Sequence, residues 1–243
     1  MYVHAYKTHI IQPHEDILMI LDTHLPLLEE RDIVFITSKI ISLCEGRLVA
    51  KETVNKRALV QQEADAFLDH SQEFMLTIKN GLLIPAAGID ESNSQDDHYI
   101  LYPQDIQQAA TRIWEHLRRK HCIAELGVLI TDSRTTPLRR GVTGVSLGWC
   151  GFEPLFDYIG KPDLFDKPLR VTVSNLLDGL AASAVLVMGE ANEQTPLAII
   201  KKAPKITFVD RAPSPEELSS LLIAMEEDIY APLLQAVTWR KGF

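Results

Sequence analysis

The sequence predicts an α+β fold with mixed sheets flanked by helices, and three observations lead there. Short apolar segments rich in β-branched residues, bounded by Gly, Pro or Asp, recur along the 243 residues. Segments with helical spacing lie between them. The two kinds do not alternate in the regular βαβ order that builds a doubly wound parallel sheet.

In chain order the strand-like segments are DIVFITSK (32–39), GLLIPAAG (81–88), HYILYP (98–103), LGVLIT (126–131), LRVTV (169–173), LAIIKK (197–202) and KITFVD (205–210). In QDIQQAATRIWEHLRRKH, Ile106, Ala109, Ile113 and Leu117 share one helical face, and Arg118, Arg119 and Lys120 stand where a helix dipole favours cations. Residues 175–188 read as a helix rich in small side chains, stopped by Gly189. Ser214-Pro215-Glu216-Glu217 is a capping box that opens a helix expected to end before Pro232. There is no internal repeat or low-complexity tract, so one domain over residues 1–243 is expected, with two interwoven subdomains as a variant.

Composition removes several classes of function. A hydrophobic share of 46% with 23% charged residues is that of a globular chain. The net charge of −9 argues against a nucleic-acid surface, which needs clustered Lys and Arg. No apolar run reaches the roughly 18 residues of a membrane span, and the N-terminus lacks signal-peptide architecture, so a cytoplasmic protein without membrane partners is expected. Cys44, Cys122 and Cys150 show no metal or disulfide spacing and read as reduced thiols. The phosphate-loop, dinucleotide-binding, zinc-protease and serine-hydrolase signatures are all absent.

Two acidic segments remain to be explained. AAGIDESN (86–93) follows an apolar run with Asp90, Glu91, Ser92 and Asn93, and LITDS (129–133) carries a second apolar run into Asp132 and Ser133. Two aspartates at two strand ends can converge on one hard divalent cation, Mg²⁺ or Mn²⁺, whose shell substrate phosphates then complete. Asn93 could bond a nucleotide or phosphate oxygen, and the Ser133 hydroxyl could reach a second ion. Arg134, Arg139 and Arg140 follow in RTTPLRRG, and guanidinium forks suit phosphate or carboxylate. Read as structure alone, the same aspartates are loop caps and the arginines surface residues.

ITSKIISLCEGRLV (36–49), AAGIDESN (86–93), LITDSRTTPLRRGVTGVSLGWCG (129–151), DYIGKPD (157–163) and AASAVLVMGE (181–190), followed by Pro196, resemble in that order the coenzyme F-420-0:L-glutamate ligase family. The resemblance implies a γ-glutamyl ligase that joins L-glutamate through its amine to a carboxylate of a cofactor-type acceptor. It implies GTP as co-substrate, two divalent ions with K⁺ as a further candidate, and an intertwined homodimer. Some members are thought to act on folates, so folate polyglutamylation is the alternative activity. A homologue that binds a nucleotide or cofactor without catalysis is another.

Carried over residue by residue, the resemblance makes Asp90 and Asp132 shared metal ligands and Ser133 a ligand of the second ion. Glu193 becomes a further acidic ligand, Ser38, Lys39 and Asn93 nucleotide contacts, and Arg139 the retained arginine of the loop after the second aspartate. Three departures stand out. Leu43 replaces a lysine of the S-K-x-x-S-K-x-E-G motif, residues 135–139 keep only the proline and last arginine of G-R-P-W-R, and Asp178-Gly179-Leu180-Ala181 drops a carboxylate from D-E-L-A.

Overall fold

The computed structural model describes residues 1–69 and 75–242, with Gln95 by its backbone only. The elements are β1 (Tyr2–Tyr6), α1 (Ile17–His24), β2 (Asp32–Thr37), α2 (Ser38–Cys44), β3 (Leu48–Ala50), α3 (Lys56–Glu63), β4 (Ala66–Phe67), β5 (Leu76–Lys79), β6 (Leu82–Pro85) and β7 (His98–Ile100). They continue with α4 (Ile106–His121), β8 (Leu126–Thr135), β9 (Val142–Cys150), β10 (Leu155–Asp157), β11 (Val173–Asn175), α5 (Leu176–Met188), β12 (Leu197–Lys201), α6 (Pro215–Ser220), α7 (Ala231–Leu234) and β13 (Arg240–Lys241). The mixture of sheets and helices is the expected α+β class.

The largest sheet has the strand order β1-β12-β2-β8-β9, and only the β2–β8 pair is parallel. Because side chains alternate across a strand, its apolar runs feed two cores. Val34, Ile36, Val128 and Ile130 face α1, α2 and α4, whereas Ile33, Phe35, Leu129, Ala198 and Ile200 face α5. Strands buried on both faces read as continuous apolar runs, which is how DIVFIT and LGVLIT were recognisable. A third core gathers Leu59 and Val60 of α3, Phe67, Ala86, Ala87 and Tyr99 beside the small sheet β13-β4-β5-β6.

Local signals account for most helix ends. Asp105 caps α4 through Gln108 N, and Cys122 terminates it in the left-handed region. Asn175 caps α5 and Gly189 ends it at φ 83. The stop at Gly189 agrees with the sequence expectation. The capping box at Ser214 and Glu217 is present, but α6 stops at Ser220, and Pro232 lies in the first turn of the separate helix α7 rather than ending one long helix.

Several strand expectations change. In 169–173 only Val173 enters β11, because Gly160 N and Leu169 N bond across an arm of turns instead of along a ladder. Within 205–210 the backbone makes a single bridge, Phe208 to Phe152, after Lys205 turns at φ 64. Residues 38 and 39 open α2, so the strand ends at Thr37. In the other direction, β8 runs four residues past Thr131 to form a hairpin with β9, and a register shift falls between Ile130 and Thr131. Asp132 and Ser133 therefore sit inside a strand. Since the ladder with β2 ends at Thr37 and Thr131, β8 has an open edge from Asp132 onward.

Candidate active site

The segment AAGID is a left-handed turn. Ala86, Ala87 and Gly88 have φ of 53, 53 and 72, an unusual conformation for two alanines, and it is held by Ala86 N donating to Met75 O and Ala87 N donating to Thr77 Oγ1. Gly88 has a second reason to lack a side chain: a Cβ there would meet the Tyr102 ring at 2.2 Å. The turn leads into Asp90, whose backbone exchanges both hydrogen bonds with Ile100. Its carboxylate is fixed on two sides. Oδ1 accepts from Ser92 N at 2.7 Å and Ser92 Oγ at 2.8 Å, and Oδ2 meets Lys39 Nζ at 2.6 Å. Burial works to raise the Asp90 carboxyl, but the Lys39 ammonium and the Ser92 bonds outweigh it and hold the group below its ordinary value.

Lys39 reaches this position because α2 starts directly at the end of β2. Its neighbour on the parallel ladder delivers Asp132, one residue beyond Thr131. Asp132 Oδ2 accepts from the Tyr102 hydroxyl at 2.6 Å. Burial raises the Asp132 carboxyl above the usual carboxylate range, with Asp90 adding to the rise, while Tyr102 and the Ser133 amide oppose it. The Tyr102 phenol is pushed well above 10 by burial and by the facing carboxylate. In this pair the tyrosine hydroxyl is the donor and the carboxylate the acceptor.

Next on β8, Ser133 Oγ lies 3.2 Å from Glu190 Oε2, and Glu190 follows the glycine that ends α5. Burial raises Glu190, with Asp132 and Asp90 adding to it. Asn93 Nδ2 donates to Ala191 O at 3.1 Å and so joins the Asp90 segment to the loop after α5. These side chains border one cleft of about 650 Å³, whose other walls include Thr8 to Gln12, Leu43 and residues 191–196. That volume suits a small-molecule substrate.

Of the residues expected from sequence, Lys39, Asp90, Asn93, Asp132, Ser133 and Glu193 border this cleft. Glu193 is turned back on its own loop, where Oε2 accepts from Ala191 N, and Glu190 is the acid that meets Ser133. Ser38 is buried beneath the cleft, and its carbonyl accepts from Ser42 Oγ. Leu43 is on the cleft wall. Arg139 and Arg140 are exposed in the turn between β8 and β9 and do not line the cleft of their own chain, because β8 carries the hairpin tip away from Asp132. Arg134 points elsewhere, to Asp178. Glu190 and Tyr102 were not singled out from sequence. Glu190 had one available signal, its place directly after a helix-ending glycine, and Tyr102 had none that sets it apart from a core aromatic.

Carboxylate and hydroxyl oxygens are the donors that Mg²⁺ and Mn²⁺ take, and Asp90, Asp132, Glu190 and Ser133 present them to a single cleft. The chemistry of this set fits a hard divalent cation. Among the described residues, no three acidic, histidine or cysteine side chains are drawn together into a ready-made cage. The ammonium of Lys39 lies against this group, paired with Asp90.

The family model described as F420-0:Gamma-glutamyl ligase matches residues 5–202, which include every residue of the cleft. This chain belongs to that family. Among curated relatives of this ligase, the coenzyme F420:L-glutamate ligase of Methanopyrus kandleri is 30% identical over 222 residues, covering 84% of this chain and 86% of that one. The protein of the same name from Archaeoglobus fulgidus is 33% identical over 195 residues, 71% and 76% of the two chains. That from Methanocaldococcus jannaschii is 34% identical over 194 residues, 72% and 77%. The ligase's segment after residue 202 lies beyond the family match, and no helix among its described residues is long and apolar enough to cross a membrane.

Proposed function

We propose that this ligase uses GTP to form an amide between L-glutamate and a carboxylate of a deazaflavin-type acceptor, coenzyme F420-0. Family membership supports the class of reaction. The observation that carries the reading is the meeting of Asp90, Asp132, Ser133 and Glu190 with Lys39 around one cleft.

A carboxylate does not condense with an amine at neutral pH, so it must first be activated. The γ-phosphoryl group passes from the nucleotide to the acceptor carboxylate, giving an acyl phosphate and the nucleoside diphosphate. The glutamate amine then attacks the acyl carbon, the amide bond forms, and phosphate and a proton leave. Phosphoryl transfer asks a protein for positioning and charge neutralisation rather than for a nucleophile. Asp90, Asp132, Glu190 and Ser133 would hold two divalent ions, which when bound neutralise charge on the phosphate oxygens. Lys39 supplies a cation for the phosphates once it leaves Asp90, and Asn93 with residues 191–196 would border the nucleotide. Tyr102 keeps Asp132 oriented and ionised.

The proposed assembly is a homodimer. Leu138 at the β8–β9 tip, Leu164, Phe165 and Val171 on the arm between β10 and β11, and Leu186 on α5 are all at least 79% exposed, more apolar surface than isolated side chains on a monomer need. A monomer mass by light scattering at micromolar concentration would reject it.

Incubation with GTP or ATP, labelled glutamate and either the deazaflavin acceptor or reduced folate, read by product mass, tests the activity. Glutamylated deazaflavin with GTP is the expected product. Glutamylated folate would establish the alternative acceptor. The second reading, a nucleotide-binding homologue without catalysis, is favoured by Leu43 on the cleft wall, and it gains if nucleotide binds while both acceptors stay unmodified.

A further inference from the structure

A second cavity, of about 600 Å³, lies behind the first, and Tyr102 is the wall between them: its ring lines the second cavity while its hydroxyl bonds Asp132 in the cleft. Two features distinguish this cavity. Its roof comes from the part of the chain beyond the family match, with Leu218, Leu221, Leu222 and Ile223 bordering it. Leu222 is seated directly over Gly81, where even a Cβ would meet its Cδ2 at 2.4 Å. Its floor holds Arg134, whose Nε is buried with no hydrogen-bond partner, the one such side-chain polar atom among the described residues.

The Arg134 guanidinium shares its counter-ion with other donors. Arg134 NH2 reaches Asp178 Oδ2 at 3.3 Å, but that carboxylate also accepts from Ser146 N at 3.0 Å and Asn175 Nδ2 at 3.1 Å. On the opposite wall Arg47 and Lys79 share the single carboxylate of Glu63, at 3.1 and 3.9 Å. Arg47, Lys79 and Arg134 thus share two of the four carboxylates that border the cavity. The other two acids that border the cavity are committed to backbone amides, Asp105 to Gln108 N and Asp228 to Tyr230 N. The remaining lining is mixed, with Leu147, Trp149 and Leu177 beside Asn80, Gln104 and Gln107.

We propose that this second cavity binds a small molecule that carries a carboxylate or phosphate on an apolar body. The oxyanion is received by the Arg134 guanidinium, and the apolar body lies beneath Leu221 and Leu222. A planar guanidinium with an unused donor is suited to such an oxyanion. The site is independent of the ligase reading of the cleft. A ligand there would nonetheless press on Tyr102 and, through it, on Asp132.

Calorimetric titration of the full chain with phenyl phosphate, benzoate and uncharged benzyl alcohol, with neither nucleotide nor metal present, tests the site. At least one anionic probe should bind about tenfold tighter than the alcohol, the scale of one charge-assisted hydrogen bond. Phosphate or carboxylate is identified by which probe does so. Arg134→Gln should remove the difference, and Lys39→Gln, which removes the cation of the first cleft, should leave it. If Arg134→Gln does not fold, Leu222→Asp places a negative charge in the partly exposed roof and should weaken anion binding by a similar factor. Equal binding of charged and neutral probes, no measurable binding, persistence in both Arg134→Gln and Leu222→Asp, or loss in Lys39→Gln would each overturn the proposal. Since no acceptor, nucleotide or turnover enters the measurement, failure of the ligase reading would leave its result unchanged.

Discussion

The Tyr102 hydroxyl donates to Asp132 Oδ2 at 2.6 Å across a wall between two cavities, and this bond decides how the more deeply buried of the two site aspartates ionises. Burial raises Asp132, and the tyrosine opposes the rise. Tyr102→Phe removes the opposing bond, so the Asp132 carboxyl should move further upward. A cation binds the ionised form, so on acidification from pH 8 the fall in Mn²⁺ affinity should begin at a higher pH than in the unsubstituted protein. Calorimetric Mn²⁺ titrations from pH 8 downward check this, and an unshifted pH profile would remove Tyr102 from the site.

Asp90→Asn and Asp132→Asn should each abolish Mn²⁺-dependent nucleotide binding. Their effects on stability should differ in sign. Asp90 is held below its ordinary value and so stabilises the fold at neutral pH, whereas raised Asp132 contributes stability only while protonated and loses it as pH rises through its folded value. Asp132→Asn, which keeps an oxygen for Tyr102, should therefore leave Tm at pH 8 unchanged or higher, and Asp90→Asn should lower it slightly. Thermal unfolding at pH 8 distinguishes the two.

Leu43→Lys should tighten GTP or ATP binding by about tenfold, roughly 1.4 kcal/mol, because the residue borders the cleft and an ammonium there would add a charge-assisted contact to a phosphate. An unchanged or weaker dissociation constant would indicate that the wall beside residue 43 serves another ligand.

Glu217 forms a forked pair with Arg211 and closes the capping box of α6, and the arginine is the main reason its carboxyl is lowered to about 2 from 4.5. A lowered acid contributes stability above its unfolded value and loses it as pH falls through the folded one, so the contribution should fade between about pH 4.5 and 2. Glu217→Gln should flatten the acid limb of the stability curve in that window. Tm measured from pH 5 to 2 in both proteins reads the difference, and parallel curves would count against it.

Much of the site was legible in the sequence because its chemistry sits next to strong local signals. Asp90 and Asp132 each follow an apolar run, and Gly88 and Gly189 mark the turns that aim Asp90 and Glu190. What sequence could not supply is depth and direction. It placed Asp132 at a strand end, whereas β8 continues into a hairpin and carries Arg139 away with it. It treated residues 205–210 as a strand, though a left-handed Lys205 leaves a single bridge. It offered no strand at 240–241, where Arg240 and Lys241 pair with β4. These outcomes depend on partners far away in the chain, which local periodicity does not encode.

The parallel ladder from Asp32 opposite Leu126 to Thr37 opposite Thr131 has a consequence for how this site can diverge. Lys39 and Asp132 are brought together by strand register, not by the intervening 92 residues. Loops and whole elements between them can lengthen or shorten while the two charges stay facing each other. A single residue inserted or deleted within either strand would instead slip the ladder and reverse which side chains face which core. Relatives of this chain should accordingly tolerate length changes between α2 and β6 and keep the spacing within β2 and β8 fixed.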